Sequence, residues 1–168
     1  RQLCQGDPHM NQEAIEPTES DLVIGSVKTV EKIMEVDRAV EKTIPLVEMF
    51  GPTVQGEGTV IGQQTYFFRF GLCDYRCTRC DSLHAVLPQL VRKEATFLTQ
   101  QAIMDQFLEF RRNGGQENAT DWVTFSGGNP AVHNLGYLLG LLKLHGFKVN
   151  VETQGTLYRG WLNKVDSL

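Results

Sequence analysis

The segment from residue 44 to residue 168 predicts an α/β fold with a parallel sheet. Two observations carry this: apolar extended runs alternate with helix-period runs, and the second, third and fourth of these extended runs break into loops rich in glycine, cysteine or polar residues. Strand, helix, strand, helix, strand is the order of right-handed βαβ units. In such folds ligands bind at the carboxyl ends of the parallel strands.

The elements follow in order. Ile44–Phe50 reads as an extended apolar run, after which Gly51-Pro52 turns the chain. Thr65–Phe70 (TYFFRF) is an aromatic-rich strand leading into the cysteines. Residues 99–112 read as a helix, with Thr99 as N-cap and Ile103, Met104, Phe107 and Leu108 on one face; Asn113-Gly114-Gly115 ends it. Asp121–Phe125 is a strand that breaks at Ser126-Gly127-Gly128-Asn129-Pro130. Asn134 caps a leucine-rich helix through Leu144, and Gly146 stops it. Phe147–Val151 is a third parallel strand ending in Glu152-Thr153-Gln154-Gly155-Thr156. A short helix near 157–163 and the start of another strand at Val165-Asp166 follow.

Residues 1–43 differ in character and read as a separate polar extension. Residues 1–21 carry Gly6, Pro8, Pro17 and several acids, a composition that favours disorder. Residues 22–42 hold a weak helical periodicity that Gly25 and several β-branched residues oppose. No function attaches to this extension.

Bulk composition narrows the class. The 168 residues are 41% apolar with a formal net charge of −4, which describes a soluble globular chain. No apolar run approaches the ~20 residues of a membrane span, and no basic-then-apolar leader is present at its start. The mild acidity and lack of a basic stripe argue against nucleic acid as a partner. Four cysteines, three of them crowded together, are not a secreted disulfide framework, so a reducing cytoplasm is the expected location.

The crowded trio is Cys73, Cys77 and Cys80, spaced C-x3-C-x2-C. A structural zinc or a fully protein-ligated iron–sulfur cluster takes four ligands. Three thiolates on one loop suit a [4Fe–4S] cluster with one iron left open. The same trio with His84 suits a Cys3His zinc knuckle, and partly buried free thiols are a third reading. Cys4, in the polar extension, is the only other cysteine.

Five segments taken together settle more than the spacing does. CDYRCTRCDS at 73–82, EMFGPTVQGEG at 48–58, the strand around Arg69, TFSGGNP at 124–130 and VETQGT at 151–156 resemble the radical S-adenosylmethionine superfamily, and within it the 7-carboxy-7-deazaguanine synthases. The resemblance spans about residues 44–168 and implies a partial (β/α) barrel. A full eight-fold barrel needs ~250 residues, so the chain is expected to be an N-terminal part, truncated at its C-terminal side and folding poorly by itself.

The resemblance implies conversion of 6-carboxy-5,6,7,8-tetrahydropterin to 7-carboxy-7-deazaguanine with loss of ammonia, a step toward the queuosine family of tRNA deazapurines. It implies a [4Fe–4S] cluster on Cys73, Cys77 and Cys80, a magnesium ion on Ser82, and S-adenosylmethionine on Arg79, Asp81, Gly128 and Glu152. Val54, Gln55, Gly56, Arg69 and Ser126 are expected to bind substrate, with Arg69 on its carboxylate. Asn129 stands where the commonest superfamily form has glutamate, which leaves its own contact open. A reducing donor such as a flavodoxin and, for the full-length protein, a homodimer are the expected partners. His84, His133 and His145 are read as structural or surface residues. The alternatives are a radical activating enzyme acting on a partner protein, or the zinc-stabilised module.

Overall fold

The computed structural model describes residues 42–116 and 118–168, so the readings of disorder and weak helicity at residues 1–41 lie outside the described residues. The described elements are β1 (Ile44–Val54), β2 (Gln64–Phe70), α1 (Leu83–Val86), α2 (Pro88–Glu94), β3 (Thr96–Leu98), α3 (Gln100–Asn113), β4 (Trp122–Gly127), α4 (Gly136–Leu144) and β5 (Lys148–Val151). Single 3-10 turns cover Pro130–Val132 and Gly160–Lys164. Among the described residues no helix is long and apolar enough to cross a membrane.

The five strands form one sheet in the order β3-β1-β2-β4-β5. β2, β4 and β5 are parallel, as the alternating pattern predicts, but β1 runs antiparallel to both β2 and β3. The sheet is therefore mixed. The connection from Val54 to Gln64 is too short for a crossover, which takes a dozen residues or more, so β1 and β2 can pair only as a hairpin. Gly51-Pro52 does not turn the chain; β1 continues through it to Val54 with a bulge between Phe50 and Thr53. Gly51 sits at φ 117°, where a Cβ would stand 2.9 Å from the Thr65 carbonyl oxygen.

Local chemistry accounts for the helices. Thr99 caps α3 by accepting from the Ala102 N–H at 3.2 Å, and Arg111 and Arg112 occupy its last turn, favourable for the dipole. α4 begins one residue later than the asparagine suggests: Leu135 is the N-cap, and Asn134 Oδ1 accepts from the Gly136 N–H at 3.3 Å. The short helix expected near 157–163 is the 3-10 turn at Gly160–Lys164. Beyond it, Ser167 forms a parallel bridge with Asn150, extending the sheet at the β5 edge.

The pleat divides the sheet chemically. Tyr66, Phe68 and Phe70 of β2, Val123 and Phe125 of β4, and Val149 and Val151 of β5 join one apolar core with Ile103, Met104, Phe107, Leu138, Leu139 and Leu142 of α3 and α4. Phe68 packs edge-on against Phe107 with centroids 4.9 Å apart, and Phe70 does the same against Phe125 at 5.3 Å. The alternate residues Thr65, Phe67, Arg69, Thr124, Ser126 and Asn150 project from the other face. There Thr65 and Thr124 share a hydroxyl hydrogen bond of 3.0 Å.

Candidate active site

The polar face and the parallel strand ends meet in two adjoining cavities. The larger, about 560 Å³, is lined by Phe50, Val54, Gln55, Gly56, Phe67, Arg69, Asp81, Ser82, Ser126 and Glu152 among others. The smaller, about 460 Å³, is lined by Gly127, Gly128, Asn150, Glu152, Thr153 and Gln154 together with Gly58 and Thr59. Glu57, Gly127 and Glu152 border both. All five expected substrate residues thus lie on one cavity with Ser82, Asp81 and Glu152, and Gly128 lies on its neighbour. Arg79 is exposed on the cysteine loop, outside both linings.

The residues around Arg69 shape one wall. Its Nε lies 2.8 Å from Glu48 Oε1; the N–H does not point along that line, so the contact is an ion pair without a hydrogen bond. Its Nη1 donates to Ser82 Oγ at 3.2 Å, and Ser82 Oγ donates to Asp81 Oδ1 at 2.9 Å. The guanidinium sits 5.7 Å from the centroid of Phe50, which stacks on Phe67 with centroids 5.0 Å apart and planes within 4°. The sequence reading did not single out Phe50, Phe67 or Glu48. Two-residue alternation along β2 is the signal that places Phe67 beside Arg69.

Two polar groups are poised differently. Ser126 is 4% exposed, and its hydroxyl has no hydrogen-bond partner among the described residues. A buried donor without a partner is costly, so this hydroxyl is suited to a ligand. Gln55, 3% exposed, donates through Nε2 to Glu152 Oε1 at 2.7 Å. Burial pushes the Glu152 carboxyl above its ordinary range, and the nearby Glu57 and Asp81 push the same way against Gln55 and Arg69.

The cysteine loop leaves β2 through an unusual backbone. Leu72 has φ 77°, a left-handed conformation that a branched side chain disfavours. It is fixed on both sides: its N–H donates to Ala85 O at 2.7 Å, and Asn129 N–H donates to its carbonyl at 2.9 Å. Gly127 ends β4 and Gly128 opens the loop after it. In the structure a Cβ on Gly128 would stand 2.0 Å from Leu72 O, and one on Gly127 2.2 Å from Phe70 O. Their bareness lets the loop after β4 lie against the root of the cysteine loop.

Cys73 and Cys80 are half-buried, Cys77 is exposed, and all three thiols are free. Their donor chemistry fits an iron–sulfur cluster. Among the described residues no three His, Cys, Asp or Glu side chains converge to ion-holding distance, so the sulfurs share a loop without meeting at a point. His84 faces Glu48 at 4.0 Å. His133 Nε2 contacts the Gly71 carbonyl at 2.7 Å, and burial holds its pKa below the usual value, in keeping with a structural residue.

The mixed α/β sheet is of the class seen in the crystal structure of QueE from Escherichia coli. That structure matches with a TM-score of 0.56 and 27% identity, covering 68% of this chain and 54% of that one. No family model matches the chain. Curated relatives carry the particular resemblance. The 7-carboxy-7-deazaguanine synthase of Bacillus subtilis is 43% identical over 128 residues, 76% of this chain and 50% of the relative. The 7-carboxy-7-deazaguanine synthase of Bacillus cereus is 40% identical over 126 residues, 74% and 50% respectively. The chain is homologous to the 7-carboxy-7-deazaguanine synthases and spans about half the length of these curated relatives.

Proposed function

We propose that the protein of which this chain is all or part is a radical S-adenosylmethionine lyase converting 6-carboxy-5,6,7,8-tetrahydropterin to 7-carboxy-7-deazaguanine with release of ammonia, toward queuosine-type deazapurines. The observation that carries the reading is the cavity collecting Val54, Gln55, Gly56, Arg69, Asp81, Ser82, Ser126 and Glu152 from separate segments of the chain. The parallel run of β2, β4, β5 and the Ser167 bridge supports a partial (β/α) barrel whose inner face is this polar one.

In this reading Cys73, Cys77 and Cys80 hold a [4Fe–4S] cluster. When bound, the cluster supplies the electron that cleaves S-adenosylmethionine to a carbon radical. Arg69, oriented by Glu48 and Phe50, clamps the substrate carboxylate, where a planar fork matches a planar anion. Ser126 offers its unpartnered hydroxyl to the ring system, and the stacked Phe50–Phe67 pair excludes water from that wall. The Ser82 hydroxyl, beside Asp81, suits magnesium, which prefers oxygen and keeps substrate oxygens among its ligands. Gly128 and Glu152, which line the cavities, would take S-adenosylmethionine, Gly128 at its amino-acid end and Glu152 at its ammonium or ribose, with Arg79 and Asp81 contributed by the cysteine loop. A flavodoxin-type donor, a homodimer and a cytoplasmic location complete the proposal.

The test is anaerobic reconstitution of the complete protein. Brown protein binding close to four irons per chain and turning over the carboxypterin supports it. Colourless protein with a single zinc overturns it.

A further inference from the structure

The cysteine loop is bound to the rest of the rim through side chains as well as backbone. Asp74, adjacent to Cys73, accepts from Asn129 Nδ2 at 2.7 Å, from Gln154 Nε2 at 2.9 Å and from Thr156 Oγ1 at 2.5 Å. These donors lie 55, 80 and 82 residues away in sequence, on the loops after β4 and β5, so no local turn explains the convergence. Asn129 has no exposed surface and both ends of its amide are engaged: Oδ1 accepts from Ala131 N–H at 3.1 Å and from Thr153 Oγ1 at 2.8 Å. Only a group that donates on one side and accepts on the other satisfies this position. Glutamate or aspartate there would set two carboxylates against each other. The same Gln154 amide reaches Cys73 Sγ at 3.7 Å, and the Tyr75 N–H reaches it at 3.4 Å.

We propose that Asp74 is the positioning residue of the cysteine loop: its carboxylate draws the loops after β4 and β5 around Cys73, holding the cluster-binding loop in shape before iron enters. The role toward iron rests on the cluster reading above. The clasp itself rests on the hydrogen bonds alone. Asn129 serves it as the buried anchor, and Gln154 and Thr156 as its outer arms.

The complete protein would be compared with Asp74→Ala, Asn129→Asp and the exchanged double variant Asp74→Asn/Asn129→Asp. Two readouts apply: hydrogen exchange of peptides 70–80 and 126–132 in metal-free protein, and iron and sulfide uptake under anaerobic reconstitution. Asp74→Ala is expected to speed exchange in both peptides about tenfold, the effect of ~1.4 kcal/mol, while α3 is unchanged, and to lower iron uptake. Asn129→Asp is expected to behave likewise, and the double variant to recover part of both, because the donor and acceptor between positions 74 and 129 have traded places while Gln154 Nε2 loses the carboxylate oxygen it shared with Asn129. Unchanged exchange with full iron uptake in Asp74→Ala overturns the proposal. So does a double variant no better than Asn129→Asp alone. Faster exchange in Asp74→Ala, with no iron taken up by any form including wild type, upholds the clasp and overturns the cluster reading.

Discussion

Gln55 and Glu152, 97 residues apart in sequence, are joined by a 2.7 Å hydrogen bond that ties the β1–β2 connection to the end of β5. Glu152 borders both cavities and Gln55 the larger one, and the carboxyl of Glu152 is raised mainly by burial. A carboxyl raised in the folded state binds its proton more tightly there than in the unfolded chain. Stability therefore falls as pH climbs from the ordinary carboxylate range through the raised value. Glu152→Gln keeps an acceptor for Gln55 and removes the titration. Its Tm should exceed that of wild type at pH 7 and converge with it below about pH 4. Calorimetry across that range tests this; a constant offset at every pH would contradict it.

Ser126→Ala separates stability from binding. The hydroxyl has no partner among the described residues, so its loss should leave Tm unchanged or slightly raised. If the hydroxyl meets substrate, KM for the carboxypterin should rise roughly 5- to 30-fold, the worth of a hydrogen bond of ~1–2 kcal/mol. A drop in Tm with unchanged KM would assign the hydroxyl to the fold.

Arg69→Lys replaces a fork by a point charge and should raise KM by about 10- to 100-fold with kcat less affected. Glu48→Gln leaves the guanidinium intact but removes its 2.8 Å ion-pair partner, so the expected rise is smaller. Steady-state kinetics on both variants would rank them, and equal effects would argue that Glu48 contacts substrate itself.

Two glycines make opposite stability predictions. A Cβ on Gly128 would meet the backbone of Leu72 at 2.0 Å and of Ala85 at 2.8 Å, atoms that cannot move independently. Gly128→Ala should cost ~3 kcal/mol or more. Gly140, inside α4, has nothing within 4 Å of its would-be Cβ, and Gly140→Ala should gain ~0.5–1 kcal/mol. Urea denaturation of the two variants reads both signs.

The sequence carried those parts that depend on one segment at a time. The aromatic-rich run TYFFRF announced β2, the 3.6-residue spacing of Ile103, Met104 and Phe107 announced α3, and Thr99 marked its start. β3 is three residues long, and α1 and α2 are four and seven, too short for any period to register. The antiparallel course of β1 comes from the length of the connection after it, and its passage through Gly51-Pro52 from pairing with β2, neither of which β1 encodes alone. Val54, Gln55, Gly56, Asp81, Ser82, Ser126 and Glu152 could be singled out because they sit in compact motifs. Glu48 and Phe50 were not, since their relevance appears only where β1 lies beside Arg69 of β2. The ties of Asp74 to Asn129, Gln154 and Thr156 likewise need three loops folded onto one rim.

The two chemically distinct faces of the sheet have a consequence for errors in assembly. A one-residue slip of β2 against β4 would rotate Phe68 and Phe70 toward the cavities and drive Arg69 into the aromatic layer against α3. Such a misfold would bury an unpaired cation and expose two phenyl rings, so it could not persist as a compact but inactive species. Correct pairing and a competent binding surface are thus acquired in the same event, or not at all.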